Sequence, residues 1–332
     1  MTTIKNVAKL ADVSTGTVSN VLSGNRPVSD EVRQRVLQAI QDLEYQPNLI
    51  ASSLVTGRSK TIGAVLSDFQ LGLANLLAGL DAGAREEGFS LLTSRLGIAE
   101  DPVNHLQSLI NRRVDGIIWI IPETEQSHHW CTTTEIDPNI PIVFALSSSH
   151  LKQSSVCMDN FSGGYVATRH LIEHGCQKIG HIAGPKEAFE ARERKAGWEK
   201  ALIDEGLEPN MLVYCDWDGI DIKKQAIRML EQWPDLDAIF AVNDTNALTA
   251  IKSFQKNKVR IPEDIKVIGF DDIRLLDYTN PPLTSIRQDY FAMGLHTVRE
   301  LMRRIQNPDS EAKNEIIPTK LVLRQSCGCN ID

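Results

Sequence analysis

From residue 61 onward, short apolar runs alternate with amphipathic stretches of helical spacing. This alternation constrains the fold more than any other feature of the chain. The runs are Ile62–Leu66, Ser90–Thr93, Gly116–Ile121, Ile142–Leu146, Ile179–Ala183, Ala238–Val242 and Lys266–Phe270. Helical stretches fall near 74–87, 102–112, 162–174, 191–205, 221–232, 245–257 and 290–305. Strand, helix and strand at this spacing predict parallel α/β units. Strands that are apolar almost throughout suit sheets covered on both faces. The chain has 332 residues, room for two such sheets, with a split expected near 150–160. No repeat or low-complexity tract is visible. No Walker or GxGxxG pattern follows a run, so nucleoside triphosphate and dinucleotide readings have little support.

Residues 1–45 read differently, as three short helices. Ile4, Val7, Ala8, Leu10 and Ala11 have helical spacing. Ser14 is placed to cap a second helix that presents Val18, Val21 and Leu22 to a core. After the loop "SGNRPVS", Ser29 caps a third helix, with Asp30 and Glu31 in the first turn where the helix dipole favours them. Its apolar stripe is Val32, Val36, Leu37, Ile40 and Leu43. Two short helices joined by a tight turn, the second opening "STGT", form a helix-turn-helix pattern, whose second helix enters the DNA major groove. An ordinary three-helix bundle is the plain alternative. A short segment follows, with Pro47 as punctuation and Asn48 able to cap a helix near 49–55 that is too short to stand alone.

Charge is divided along the chain. The net charge is −8, yet residues 1–60 carry seven Lys/Arg against five Asp/Glu. A mildly basic head precedes an acidic body, and only the head suits phosphate. No apolar run reaches membrane-spanning length, so a cytoplasmic protein with no membrane partner is expected. The six cysteines then read as thiols. Cys327-Gly328-Cys329 has no second ligand cluster near it in sequence and reads as an inert tail rather than a metal or redox site. His170 and His174 are four apart on an expected helix without the glutamate of the zinc-protease pattern, and read as helix packing or exposed. No metal or cofactor is expected.

The stretch "TIKNVAKLADVSTGTVSNVLSGNRPVSDEVRQRVLQAIQDLEYQPNLIASSLVTGRS" resembles the head and hinge of the lactose-repressor (LacI/GalR) family of bacterial transcription regulators almost end to end over residues 3–59. The resemblance implies that Thr15, Gly16 and Asn20 face the operator's major groove, with Ser14, Thr17 and Ser19 near it. Thr3, Asn25, Ser29, Tyr45 and Asn48 complete the candidate DNA-facing set in the head. It also implies paired hinge helices in the minor groove, where Leu54 wedges between base pairs with Ala51 beside it. The implied organisation is a helix-turn-helix domain over 1–46, a hinge over 47–60 and a body over 61–332. That body would be a two-lobed, periplasmic-binding-protein-like α/β fold with parallel sheets. Its first lobe covers roughly 61–158 and 287–316, its second roughly 159–286 and 317–332.

Ligands of open α/β sheets sit at the carboxyl ends of strands. In "EARERKAGW" the family alignment points to Arg194 as an effector contact. "FAVNDTNAL" ends a run in Asn243-Asp244, with Asn243 as the candidate contact. "VIGFDDIRLLDYTNPPLTSIRQDY" carries Asp271 and Tyr290, and Trp217 falls where sugar-responsive members have an aromatic. In the first lobe the candidates are Asp68, Phe69, Arg95 and Ser147. "FALSSS" departs from the family pattern, with Leu146 and Ser147 where an Asp-Arg pair is common. An arginine fork, amide and carboxylate suit sugar hydroxyls, and flat rings suit a sugar's C–H face. Trp217 has a core reading as well, and Asp271-Asp272 a turn-capping one.

The expected protein is a dimeric repressor of a palindromic, double-stranded operator, controlled by a small sugar-like effector. No heptad-patterned helix near the tail points beyond a dimer. A solute-binding receptor without DNA activity explains the body but leaves the head unexplained. An enzyme is not expected, because no nucleophile, base and orienting group fall together. Well-known family members carry arginine where this chain has Asn20, and arginine favours guanine. Asn20→Arg is therefore expected to change the preferred base at one position in each half-site. A randomised-site selection returning the same preferred sequence before and after would refute this.

Overall fold

The computed structural model describes residues 2–23, 26–45, 58–67, 72–97, 100–121, 140–146 and 153–329. Contacts divide the chain into two units, Met1–Ser59 and Lys60–Asp332.

The first unit has helices α1 (Ile4–Leu10), α2 (Thr15–Ser23) and α3 (Asp30–Asp42). Asn6 Oδ1 accepts the Thr3 backbone N–H at 3.0 Å, closing the start of α1. Asp12 turns the chain with φ 50°, and the Val13 N–H reaches back to the Ala8 carbonyl at 3.0 Å. Val7, Ala8, Ala11, Val18, Val21, Val36 and Ala39 make the core. Leu10, Leu22 and Leu37, expected inside, are exposed. Each lies next in sequence to a residue that packs or spaces the buried stripe, about 100° round the helix from it. Ser29 occupies the N-cap position of α3 without a side-chain cap hydrogen bond.

The second unit is built on two six-stranded sheets. The first holds β1 (Thr61–Ser67), β2 (Ser90–Leu96), β3 (Gly116–Ile120), β4 (Ile142–Ala145), β5 (Ser154–Met158) and β11 (Asn314–Ile317), in the order β11-β5-β4-β3-β1-β2. The second holds β6 (Ile179–Ala183), β7 (Leu212–Tyr214), β8 (Ala238–Ala241), β9 (Lys266–Asp271), β10 (Thr284–Arg287) and β12 (Lys320–Val322), in the order β12-β10-β9-β8-β6-β7. All pairings are parallel except β10 with β12. The helices are α4 (Leu73–Glu86), α5 (Pro102–Asn111), α6 (Asn160–Glu173), α7 (Phe189–Asp204), α8 (Ile222–Gln232), α9 (Asp244–Lys256) and α10 (Tyr290–Gln306). Alternate strand residues feed separate apolar clusters: Ile118 and Ile120 join one, Ile117 and Trp119 another.

Strands β5, β7, β10, β11 and β12 were not expected from the apolar pattern. β5 reads SSVCM yet is buried throughout. Its hydroxyls are satisfied from afar: Ser154 Oγ donates to Glu300 Oε1 at 2.6 Å and Ser155 Oγ to Asn314 Oδ1 at 2.8 Å. A buried hydroxyl is tolerated when it is hydrogen-bonded.

Helices α6 and α7 pack backbone to backbone. A Cβ on Gly164 would lie 2.3 Å from the Arg194 carbonyl oxygen, and one on Gly197 2.2 Å from the Phe161 carbonyl oxygen. These glycines are needed for the close approach. Gly164→Ala is expected to destabilise the protein by about 1–3 kcal/mol, as overpacking does, and to displace Arg194. Urea unfolding with an unchanged midpoint would contradict this.

Candidate functional site

Two surfaces concentrate candidate residues. In the first unit, Ser14 Oγ accepts the Thr17 N–H at 3.0 Å and contacts Thr17 Oγ1 at 2.9 Å. Ser14 thus caps α2. Beyond it Thr15, Gly16 and Ser19 are exposed, and Thr17 and Asn20 half-buried. A Cβ on Gly16 would meet nothing closer than Ser14 Oγ at 3.6 Å. Packing within the unit therefore does not require glycine there. Lys5, Lys9, Arg26, Arg33 and Arg35 are all exposed, the kind of side chain that meets phosphate in protein–DNA complexes. Thr3 and Ser29 are exposed at the starts of α1 and α3, and Tyr45 packs half-buried on the core. Asn25, Asn48, Ala51 and Leu54 lie outside the described residues.

In the second unit the strand order reverses at β1 and at β6, each flanked by strands on both sides. Crevices at such reversals lie at the strands' carboxyl ends. Here Arg194, on α7, is only 3 % exposed. Its Nε donates to Asn160 Oδ1 at 2.8 Å and its Nη1 to the Val242 carbonyl at 2.6 Å. Asp271 Oδ1 lies 3.9 Å from Nη1. The guanidinium sits over the Phe270 ring at 3.8 Å, with the Trp217 ring 5.7 Å away.

Asp271 ends β9 with φ 112°, a conformation that strains any side chain but glycine's absence of one. Gln288 Nε2 donates to Asp271 Oδ1 at 2.6 Å and to Tyr290 Oη at 2.8 Å, tying carboxylate to phenol. Burial pushes the Asp271 carboxyl up to about 6, against the lowering influence of Arg194 and Gln288. Burial, and then the Asp271 charge, also raise the Tyr290 hydroxyl, which stays protonated. Tyr290 lies flat on the backbone of Gly72, where a Cβ would fall 2.1 Å from the ring. Asp272 turns to different partners, Arg287 Nε at 2.6 Å and Arg324 Nη1 at 2.7 Å.

Asn243 caps α9, accepting the Asn246 N–H at 2.8 Å, and donates to the Trp217 carbonyl at 3.0 Å. Both its polar ends are engaged, and it holds the Trp217 loop. Trp217 is half-buried, packed on the core as well as facing Arg194. Arg95 is exposed on β2. Leu146, where the usual aspartate is replaced, is buried in the first sheet's core with φ 66°. Asp68, Phe69 and Ser147 lie outside the described residues.

Sequence reasoning missed Asn160 and Gln288, and named Asp244 only as the neighbour of Asn243 at a strand end. Asn160 follows β5, whose polar sequence hid the strand end. Gln288 lies just past β10, which is shorter still. Asp244 is buried, accepting from Ser285 Oγ at 2.6 Å and the Ile273 N–H at 2.9 Å. Burial, and next the Asp271 charge, hold its carboxyl well above the ordinary range.

The raised Asp271 carboxyl gives a signed prediction. Its ordinary value is 3.8 and its folded value about 6. Between these values the folded state holds the proton that the unfolded state has lost, so stability falls as pH rises. The stability advantage of Asp271→Asn over the parent should therefore widen by up to about 3 kcal/mol across that window and then level off. Urea unfolding of both proteins across the window tests it; a gap independent of pH would contradict it.

Residues 3–48 match the family described as bacterial regulatory proteins, lacI family, and residues 168–327 match a periplasmic binding protein-like domain. The chain is 33% identical over 333 residues to the HTH-type transcriptional repressor PurR of Aliivibrio fischeri, covering 98% of each. It is 32% identical over 333 residues to the ribose operon repressor of Haemophilus influenzae, again covering 98% of each. Among solved structures, a lac repressor dimer bound to operator and the anti-inducer ONPF superposes with a TM-score of 0.83 at 29% identity, covering 98% of this chain and 99% of that one. A complex of the transcriptional regulator CelR with cellobiose gives 0.73 at 29% identity, covering 98% of this chain and 100% of that one.

Proposed function

We propose, from the premise that the chain belongs to the lacI family of bacterial regulatory proteins, that it is a sequence-specific DNA-binding transcriptional repressor whose operator affinity is set by a small effector. It is not an enzyme. The observation that carries the DNA half is the open, uncharged start of α2. Thr15 and Ser19 are exposed there, and no described residue fills the space that a side chain at Gly16 would take. That leaves room for a helix backbone to approach base edges closely, where short donors and acceptors read sequence.

The working division is a DNA-binding head over 1–46, a hinge over 47–60 and an effector-binding body over 61–332. The body's lobes are 61–158 with 287–316, and 159–286 with 317–332. Two copies of the chain present two heads to a palindromic operator, as in the lac repressor dimer on its operator. A chromosomal target puts the protein in the cytoplasm.

The effector is sugar-like and sits by Arg194, Asp271, Tyr290 and Trp217. The guanidinium donates, the carboxylate accepts and the half-buried indole offers a flat face. Asn243 positions Trp217, and Asn160 and Gln288 position Arg194 and Asp271. Arg95 is the described candidate of the first lobe, and Asp68, Phe69 and Ser147, outside the described residues, complete the proposed first-lobe set. The cellobiose complex of CelR and the ribose operon repressor support a carbohydrate. The effector changes operator affinity by binding one arrangement of the lobes better than the other.

Gly16→Ala tests the DNA surface. Alanine is the better helix former by roughly 0.5–1 kcal/mol, so folding should hold or improve. Binding to the chain's own promoter region should weaken at least about tenfold, the equivalent of about 1.4 kcal/mol of lost contact. Gel-shift titration at moderate salt measures it, and unaltered affinity would refute the assigned surface. Removing residues 1–60 separates this reading from a solute receptor: sugar-induced thermal shifts should survive while the DNA shift disappears. Absence of any specific shift in the full chain, with and without sugars, would leave the receptor reading standing.

A further inference from the structure

Helix α6 begins at Asn160, beside the Arg194 guanidinium, and ends some distance away at His170 and His174. Ten residues of helix separate Asn160 from His170, about 15 Å at the α-helical rise. The far end therefore lies away from the effector residues. There the fold brings the histidine pair against the tail, supplying in space the ligand cluster that the sequence does not place near Cys327-Gly328-Cys329. Cys329 Sγ lies 3.5 Å from His170 Nε2 and 3.3 Å from His174 Nε2. Cys327 Sγ lies 3.2 Å from Cys329 Sγ. The ligand atoms of His170, His174 and Cys329 all fall within 4.8 Å of one another.

We propose that His170, His174, Cys327 and Cys329 form a zinc site that fastens the tail to the last turn of α6. Zinc favours four tetrahedral ligands of this mixed kind, with bonds of about 2.3 Å to sulfur and about 2.0–2.1 Å to nitrogen. Those bond lengths set the edges of the tetrahedron at about 3.3–3.8 Å. The separations from Cys329, at 3.2, 3.3 and 3.5 Å, fall near those edges; Cys327 lies outside the three-residue cluster and has to shift toward the histidines to complete the set. The four-residue spacing on one helix turn puts both imidazoles on one face, with ring centroids 4.1 Å apart.

The tautomer of His174 is fixed independently. Its Nδ1 lies 2.9 Å from the His170 carbonyl oxygen, which can only accept. Nδ1 therefore carries the proton, and the Nε2 lone pair is the one turned to Cys329. A backbone carbonyl on the outer nitrogen is a common way to orient a metal-binding histidine. Cys327 is fully buried and held by a contact from Thr284 Oγ1 at 3.1 Å, so one sulfur is anchored in the core. His174 is exposed and Cys329 half-buried, which leaves an entry path. On binding, Zn²⁺ displaces the thiol protons to solvent, and no electron is transferred.

The test is Co²⁺ substitution in the full-length chain after reduction and exhaustive chelation. One equivalent of Co²⁺ per chain should give a thiolate-to-cobalt charge-transfer band and intense tetrahedral d–d bands, both removed by added Zn²⁺. Cys329→Ser should abolish the charge-transfer increment of that sulfur and weaken zinc binding by more than about 100-fold, since even outer-shell changes cost roughly 10–100-fold. His174→Gln alters an exposed side chain and should leave the fold intact while weakening zinc in the same direction. Cys215→Ser, elsewhere in the second unit, should leave the spectrum unchanged. The proposal is overturned if no tetrahedral spectrum forms. It is equally overturned if both Cys329→Ser and His174→Gln bind zinc like the parent, or if Cys327 and Cys329 prove to be joined as a disulfide in the chelator-treated protein before reduction.

Discussion

A buried guanidinium organises the carboxyl edge of the second sheet. Arg194 cannot lose its charge, so every surrounding group has to compensate it. Asn160 and the Val242 carbonyl take two of its N–H groups, Phe270 and Trp217 supply ring faces, and Asp271 stands within ion-pair range. The arrangement depends on two glycines. Gly164 and Gly197 let α6 and α7 touch backbone to backbone, which sets Asn160 against Arg194. The carboxylate is the strained member, with a backbone that L-residues avoid and a charge that burial disfavours. Strain of this kind persists where surrounding structure over-determines it and commonly marks a binding site.

The head works on the opposite principle. Its functional surface is what the core leaves alone. Val18 and Val21 bury one side of α2, while Thr15, Gly16 and Ser19 keep the other side small and open. The exposed lysines and arginines of the head suit phosphate, and the short uncharged side chains of α2 suit base edges. An acidic net charge of −8 is compatible with this because the head itself carries seven Lys/Arg against five Asp/Glu, and the acidic excess lies in the body.

Much of this was legible in the sequence, and the failures have physical causes. Every apolar run expected as a strand is one: the central strands are buried on both faces and so must be apolar at successive positions, while β2, at a sheet edge, is only partly buried. β5 escaped because SSVCM hides its burial behind serines whose partners, Glu300 and Asn314, are distant in sequence. Leu10, Leu22 and Leu37 were read as core because they lie close to true core positions. Residue type alone does not fix the helix phase to within one position. Asn243 was legible as a strand-end residue, but its double engagement with Asn246 and Trp217 was not.

Arg194 and Trp217 came only through the family resemblance; by itself the sequence determined the order of units, the helix-turn-helix head, the alternating α/β body, Asp271 at a strand end and Tyr290 at a helix start. These are local properties, written in periods of 2 and 3.6 residues and in cap and turn chemistry. Only the tertiary structure decided which residues meet. Gln288 joins Asp271 to Tyr290 because β10 lies beside β9. His170 meets Cys329, 159 positions away, because the tail returns along the second sheet to the end of α6. Such meetings depend on strand order and on how closely helices pack, and no local pattern encodes them.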